Sequence, residues 1–138
     1  KIKYRDSILE VISPPRNLPR KTSMNDSSLV LKLSTAGADI LFTGDIGFLA
    51  ENNILKKYDL DIDALKVGHH GSKNSSGEEF LRALSPEVAI IEVGKNSYGH
   101  PTPQVLDRLA SVGARIFRTD TDGTVKLEIA SGTISVYK

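Results

Sequence analysis

The chain has 138 residues, 39% of them hydrophobic and 25% charged, and no cysteine; this suits one globular domain and excludes a disulfide framework, a cysteine-based zinc finger and a cysteine nucleophile. Eighteen Lys and Arg against 17 Asp and Glu leave a net charge of +1, so no global field draws the chain to nucleic acid or lipid. No apolar run approaches the roughly 20 residues that span a bilayer, the start KIKYRDS is too polar for a signal peptide, and Lys1 in place of an initiating Met suggests a piece of something longer.

Ile8 to Ile12 reads as a strand stopped by Pro14-Pro15. Residues 16–26 (RNLPRKTSMND) read as a loop; Arg16, Arg20 and Lys21 supply part of the basic excess of residues 1–24, which carry six basic and two acidic side chains. Leu29 to Leu33 and Asp39 to Phe42 predict a hairpin about Ala36-Gly37. After Gly44, the spacing from Phe48 to Tyr58 is helical. Ala64 to Val67 is a short strand running into Gly68-His69-His70-Gly71-Ser72, followed by a helix from about Gly77 to Leu84 with Glu78 and Glu79 in its first turn. Val88 to Val93 reads as a strand buried on both faces. Thr102 as N-cap and Pro103 as first residue start a helix to about Val112, which Gly113 ends in a left-handed conformation. Arg115 to Arg118 is a strand, and Thr124 to Ile129 pairs with Thr133 to Val136 across Ser131-Gly132. Strands alternating with helices make this an α/β domain rather than a bundle or a sandwich of sheets alone.

All three histidines lie beside glycines in loops that follow strands. A strand ending in small residues brings imidazoles to the carboxyl edge of a sheet, where α/β proteins bind ligands; imidazole is both a metal ligand and a proton carrier near neutral pH. A surface turn with solvated histidines would account for His69-His70 equally well. Leu41-Phe42-Thr43-Gly44-Asp45 delivers a carboxylate at another strand end, either as a metal ligand or as the N-cap of the next helix. Together, Asp45 and the histidine pair offer two or three hard N/O ligands, short of the four protein ligands of a closed structural zinc site. Asn25-Asp26-Ser27-Ser28 adds either an oxygen ligand or a turn. His100, in Asn96-Ser97-Tyr98-Gly99-His100-Pro101, precedes a helix start that would face a phosphate or simply cap the helix. Arg118 to Gly123 has calcium-like Asp spacing without the length or closing Glu of an EF-hand, and is expected to be a hairpin turn with solvated carboxylates.

NDSSLVLKL, LFTGD, LKVGHHGSKNSS, NSYGHP and RTDTDG occur here in the order found in the metallo-β-lactamase-like domain of ComEC-type competence proteins, which the chain resembles from about Ile8 to Tyr137. The resemblance implies the second half of an αββα sandwich, one partial domain over residues 1–138, because the HxHxDH motif of the first half is absent. By the same resemblance Asp45 matches the metal-bridging aspartate and His70 a ligand histidine. Asn25 stands where many members carry a further ligand, and His69, Ser72 and His100 would steady a phosphate. The divalent metal implied is zinc, manganese or magnesium, weakly held. The implied function is metal-dependent hydrolysis of DNA during uptake, by the soluble and extracytoplasmic part of an inner-membrane protein. The partners would be DNA, the missing N-terminal half and the membrane channel of the same chain. The alternatives are a free-standing hydrolase of the superfamily and a non-catalytic docking module. Leu31, Leu33, Leu41, Val125, Leu127 and Ile129 are expected to face the missing half and, without it, to drive self-association.

Overall fold

The computed structural model describes residues 1–17 and 22–138, so Arg20 and Lys21 of the expected loop lie outside the described residues. Among these, seven strands form one sheet in chain order: β1 (Ile2–Tyr4), β2 (Ser7–Ser13), β3 (Val30–Thr35), β4 (Ala38–Phe42), β5 (Ala64–Lys66), β6 (Val88–Ile91) and β7 (Arg115–Arg118). Neighbours are antiparallel from β1 to β4 and parallel from β4 to β7. The hairpin β3–β4 closes through Ala36 and Gly37, whose φ values of 50° and 83° suit a two-residue turn with the twist of paired strands. Parallel pairing then requires crossovers, supplied by α1 (Phe48–Leu55), α2 (Glu78–Leu84) and α3 (Pro103–Ser111).

All three helices pack on one face of the sheet. Ala50 and Ile54 of α1, Phe80, Leu81 and Leu84 of α2, and Val105 and Leu109 of α3 share a core with Val30, Leu41, Leu65, Ala89 and Ile91 of the strands. The opposite face is covered in its middle by a separate two-stranded sheet, β8 (Lys126–Ala130) and β9 (Thr133–Tyr137). Ile134 is buried there with Ala38, Ile40, Ala64 and Val88, while Leu33, Leu127 and Ile129 pack half-buried around them. The two hairpin turns touch: Gly132 N donates to Ala36 O at 2.6 Å.

The α/β order expected from periodicity is present, with four differences. The apolar face expected to be open is largely closed by the chain's own β8–β9 hairpin, and Leu41 points the other way, fully buried beneath the helices. Leu31 and Val125 are half-buried. What stays exposed are Ile2 on β1, Val11 on β2 and Phe42 at the end of the central strand β4, which are 68%, 51% and 38% exposed. β1, with only three residues, is too short for periodicity to reveal and pairs along β2, with Ile2 opposite Leu9. β6 ends at Ile91 rather than Val93, because Val93 N leaves the ladder to donate to Thr119 Oγ1 at 2.8 Å. The Asp-rich stretch after β7 is a helical turn, α4 (Thr119–Asp122), between two different sheets rather than a hairpin turn. Its carboxylates are engaged: Asp120 pairs with Arg118 at 2.7 Å and Asp122 with Lys138 at 2.8 Å, and hydrogen bonds from those cations hold both carboxyls below their ordinary range.

Truncating Leu41 to Ala is expected to lower unfolding free energy by about 2–5 kcal/mol, the cost of emptying a closed core site. Val11→Ala, on the exposed part of the other face, should change it by less than about 1 kcal/mol. Urea unfolding of the two variants checks the assignment of faces.

Candidate functional site

Three consecutive parallel strands end at the same edge of the sheet, and each hands the chain to a loop carrying a candidate site side chain. The loop after β4 holds Asp45, that after β5 holds His69 and His70, and that after β6 holds His100. Asp45 is not the N-cap of α1; Gly47 occupies that position, and its amide is satisfied by Asp26 Oδ1 at 2.9 Å. The Asn25–Ser27 turn thus docks on the Asp45 loop, with Ser28 Oγ accepting from Asp45 N at 3.2 Å. Gly44 has φ +56°, and a Cβ there would come within 2.9 Å of Ser28 Cβ, so only glycine lets the two loops meet this closely.

His69 and His70 both adopt left-handed backbone, with φ of 48° and 53°. Hydrogen bonds on every side enforce it. His69 N donates to Gly44 O at 3.0 Å, and Ser72 N donates to His69 O at 3.0 Å. Ser75 Oγ, fully buried, donates to Gly68 O at 2.9 Å. Gly71 O accepts from Thr102 N at 2.9 Å and from Thr102 Oγ1 at 3.2 Å. Thr102 does hold the N-cap position of α3, but its hydroxyl ties the histidine loop instead of capping the helix.

The result brings Asp45 and His70 together. His70 Nδ1 lies 2.7 Å from Glu92 O and donates to it, which leaves the Nε2 lone pair facing Asp45 Oδ1 across 3.8 Å. Two acceptors so placed are satisfied by a proton on Nε2 or by a shared cation. Donors about 2.1 Å from one tetrahedral ion stand about 3.4 Å apart, and a histidine ligand usually gives its other N–H to a carbonyl or carboxylate. The pair therefore fits two ligands of a divalent ion. Among the described residues no group of three or more His, Asp or Glu is arranged to hold a metal, so the fit is to part of a site.

Asn25 is brought to His69 rather than to that pair: Asn25 Nδ2 stands 3.5 Å from His69 Nδ1. His69 also meets His100 edge-on, with ring centroids 5.7 Å apart. Burial, and then the His69 and His70 imidazoles, lower the pKa of His100, which favours its neutral form. Ser72 departs from the expected phosphate-facing role. It is 3% exposed, and its Oγ accepts from Asn74 N at 3.3 Å, holding the turn from inside. A cleft between the end of β2 and α1 lies apart from these residues, and none of the histidines is among the described residues that line it.

One residue that supports the site carries no motif. Glu51, on α1 and 2% exposed, accepts from Ser76 N, and from Gly77 N at 2.9 Å, fastening the segment that leads from the histidine loop into α2. Burial pushes its carboxyl from 4.5 up to about 7, against the two amides and Arg108, which favour the charged form. A single Glu in a helical stretch looks like any solvated side chain in sequence; only its position beneath Ser76 gives it this task. Among the described residues no buried side-chain polar atom lacks a partner.

Comparison with known proteins places these features in context. Residues 12–94 match the family described as the metallo-beta-lactamase superfamily. ComE operon protein 3 of Bacillus subtilis is 41% identical over 140 aligned residues, covering 99% of this chain and 18% of that protein. Competence protein ComA of Neisseria gonorrhoeae is 37% identical, over 83% of this chain and 17% of its own length. Recombination protein 2 of Haemophilus influenzae is 31% identical, over 94% and 16%. The chain thus spans less than a fifth of these relatives.

Two outcomes test the scaffold. Gly71 has φ +81°, and a Cβ there would lie 2.6 Å from Pro101 Cβ; Gly71→Ala is expected to cost about 2–4 kcal/mol through strain and overpacking, measured by thermal unfolding. For Glu51, the folded carboxyl titrates near 7 and the free one at 4.5. Between those values the unfolded chain has lost a proton that the folded chain keeps. This group's contribution is therefore fully present below about 4.5 and is lost as pH rises through about 7. The pH dependence of the melting temperature should show that decline, and Glu51→Gln, uncharged throughout, should flatten it.

Proposed function

Because the chain belongs to the metallo-beta-lactamase superfamily, we propose that it forms part of a metal-dependent phosphodiesterase acting on DNA in a competence protein. The observation that carries this is the Asp45–His70 pair: a carboxylate and an oriented imidazole 3.8 Å apart at the ends of adjacent parallel strands. Asp45 Oδ1 and His70 Nε2 would hold a zinc, manganese or magnesium ion. When bound, such an ion polarises a phosphoryl oxygen and lowers the pKa of a water. The chain's own residues do the rest. Glu92 O keeps His70 in the tautomer whose Nε2 is free. His69 and His100, at the side of the pair, would hydrogen-bond phosphate oxygens, with Asn25 orienting His69.

Two ligands give up the chelation that makes a metal site tight. This reading therefore takes the remaining ligands from a preceding segment that bears HxHxDH and completes the sandwich; the exposed side chains of Ile2 on β1, Val11 on β2 and Phe42 on β4 are the part of the sheet it would cover. The competence relatives, several times longer than this chain, support a setting in DNA uptake. A membrane channel elsewhere in the same polypeptide, with this part extracytoplasmic, belongs to the same proposal; among the described residues no helix is long and apolar enough to cross a membrane.

Calorimetry with zinc and with manganese on the chain alone should show binding no tighter than the micromolar range, and Asp45→Ala should abolish it. The polypeptide extended upstream through HxHxDH is expected to cleave DNA only with added metal, and Asp45→Ala or His70→Ala should cut that rate at least about 100-fold. Metal-dependent cleavage unaffected by either substitution overturns the assignment of the pair. Absence of cleavage, with DNA still bound, favours the docking module.

A further inference from the structure

We propose that Tyr98 is a stacking seat for one base of a single-stranded nucleic acid whose backbone passes the His100–His69 side of the Asp45–His70 pair. The inference rests on the phosphodiesterase reading and adds to it how the strand is held beyond its phosphates. Tyr98 is 82% exposed, well above most of the chain's large hydrophobic side chains. Its loop offers nothing apolar to pack against: Asn96, Ser97 and Gly99 flank it, and no atom lies within 4 Å of where a Cβ on Gly99 would be.

The exposure is built rather than incidental. One side chain, Asn96, closes the loop with four hydrogen bonds. Its Nδ2 donates to Gly94 O at 2.9 Å and to His100 O at 2.8 Å. Its Oδ1 accepts from Tyr98 N at 3.1 Å and from His100 N at 3.0 Å. A loop fixed in this way presents the ring at little further entropic cost, which is what an aromatic anchor for a ligand needs.

The ring also stands in line with the site. Tyr98 and His100 have centroids 6.0 Å apart, tilted by 30°, and His100 and His69 are 5.7 Å apart. Two ring-to-ring steps therefore lead from the tyrosine to the imidazole that neighbours the Asp45–His70 pair. A phosphate at the histidines leaves its base on the tyrosine side. Lys95, in the same loop, and Lys73, in the segment that follows the histidines, are exposed. With a net charge of only +1, the chain has little non-specific attraction for a strand, so stacking, indifferent to base identity, is the contact that would hold it. An apolar protein surface fits less well, since a binding hot spot is ringed by contacts that exclude water, and here the ring's chain neighbours are polar.

Fluorescence anisotropy with the purified chain tests this, comparing a labelled oligothymidylate with an abasic strand of equal length and charge at one low salt concentration. The native chain is expected to bind the base-bearing strand about tenfold more tightly. Tyr98→Ala should bring it down to the abasic level, and Tyr98→Phe should keep the preference. Equal binding of both strands by the native chain, or a preference that survives Tyr98→Ala, overturns the stacking seat. So does a loss on both strands alike. The phosphodiesterase reading is judged separately, by metal-dependent cleavage in the upstream-extended polypeptide and its loss in Asp45→Ala.

Discussion

Two adjacent histidines in left-handed backbone cost the chain about 1–2 kcal/mol each, and much of the carboxyl edge of the sheet is arranged to hold them there. No single contact outweighs that cost, since an ordinary hydrogen bond nets about 1 kcal/mol. Several acting on one turn do. The loops after β4 and β6 both bond to it, through Gly44 O and Thr102, and Ser75 closes it from below. The same bonds that enforce the strain bring Asp45, His69, His70 and His100 to one place. Position and strain have one cause here, which is why Gly71, with no side chain at all, matters as much as the histidines it follows.

Sheet order explains why three loops are available for this purpose. Strands β4 to β7 run parallel and in chain order, so each crossover helix returns the chain one strand along and leaves successive loops side by side at one edge. The helices that make the crossovers also supply the deep contacts, with Glu51 on α1 reaching the start of α2. That carboxylate is held under opposing demands. Its two amide partners want it charged, whereas its surroundings, 2% exposed, disfavour charge. The alternative, two amides with no acceptor, would be worse by the desolvation cost of each.

Much of this was legible beforehand, and the exceptions share a reason. Strands such as Val88 to Ile91 and helices such as that beginning at Pro103 show in apolar spacing and in Pro and Gly placement, since those features act locally. Asp45 and the histidines could be found because TGD and HHGS are strand-end motifs. Thr102, Glu51, Ser75 and Asn96 could not be assigned their tasks, because each acts on a segment brought near only by the finished fold, Thr102 across 31 positions to Gly71 and Glu51 across 25 to Ser76. The inward direction of Leu41 was misjudged for a similar reason. Alternation separates the two faces of β4 but does not say which of them receives the helices; that is decided by the crossovers.

The coverage of the sheet bears on how far the chain can stand alone. Had the second face been wholly open, Ile40, Ala64, Val88 and their neighbours would all lie in water, each a loss of roughly 1–3 kcal/mol of burial. The β8–β9 hairpin removes that loss at the centre, where the Ala36–Gly37 turn meets Gly132 and Ile134 is buried. It stops short of Val11 and Ile2. The chain therefore keeps a closed core on the helix side and a partly closed one on the other. Its loop edge is built by contacts within itself, so the strained histidine turn does not wait on a second layer to take shape. On the proposed reading, a preceding segment would add metal ligands and cover for Ile2 and Val11, not the geometry of the pair.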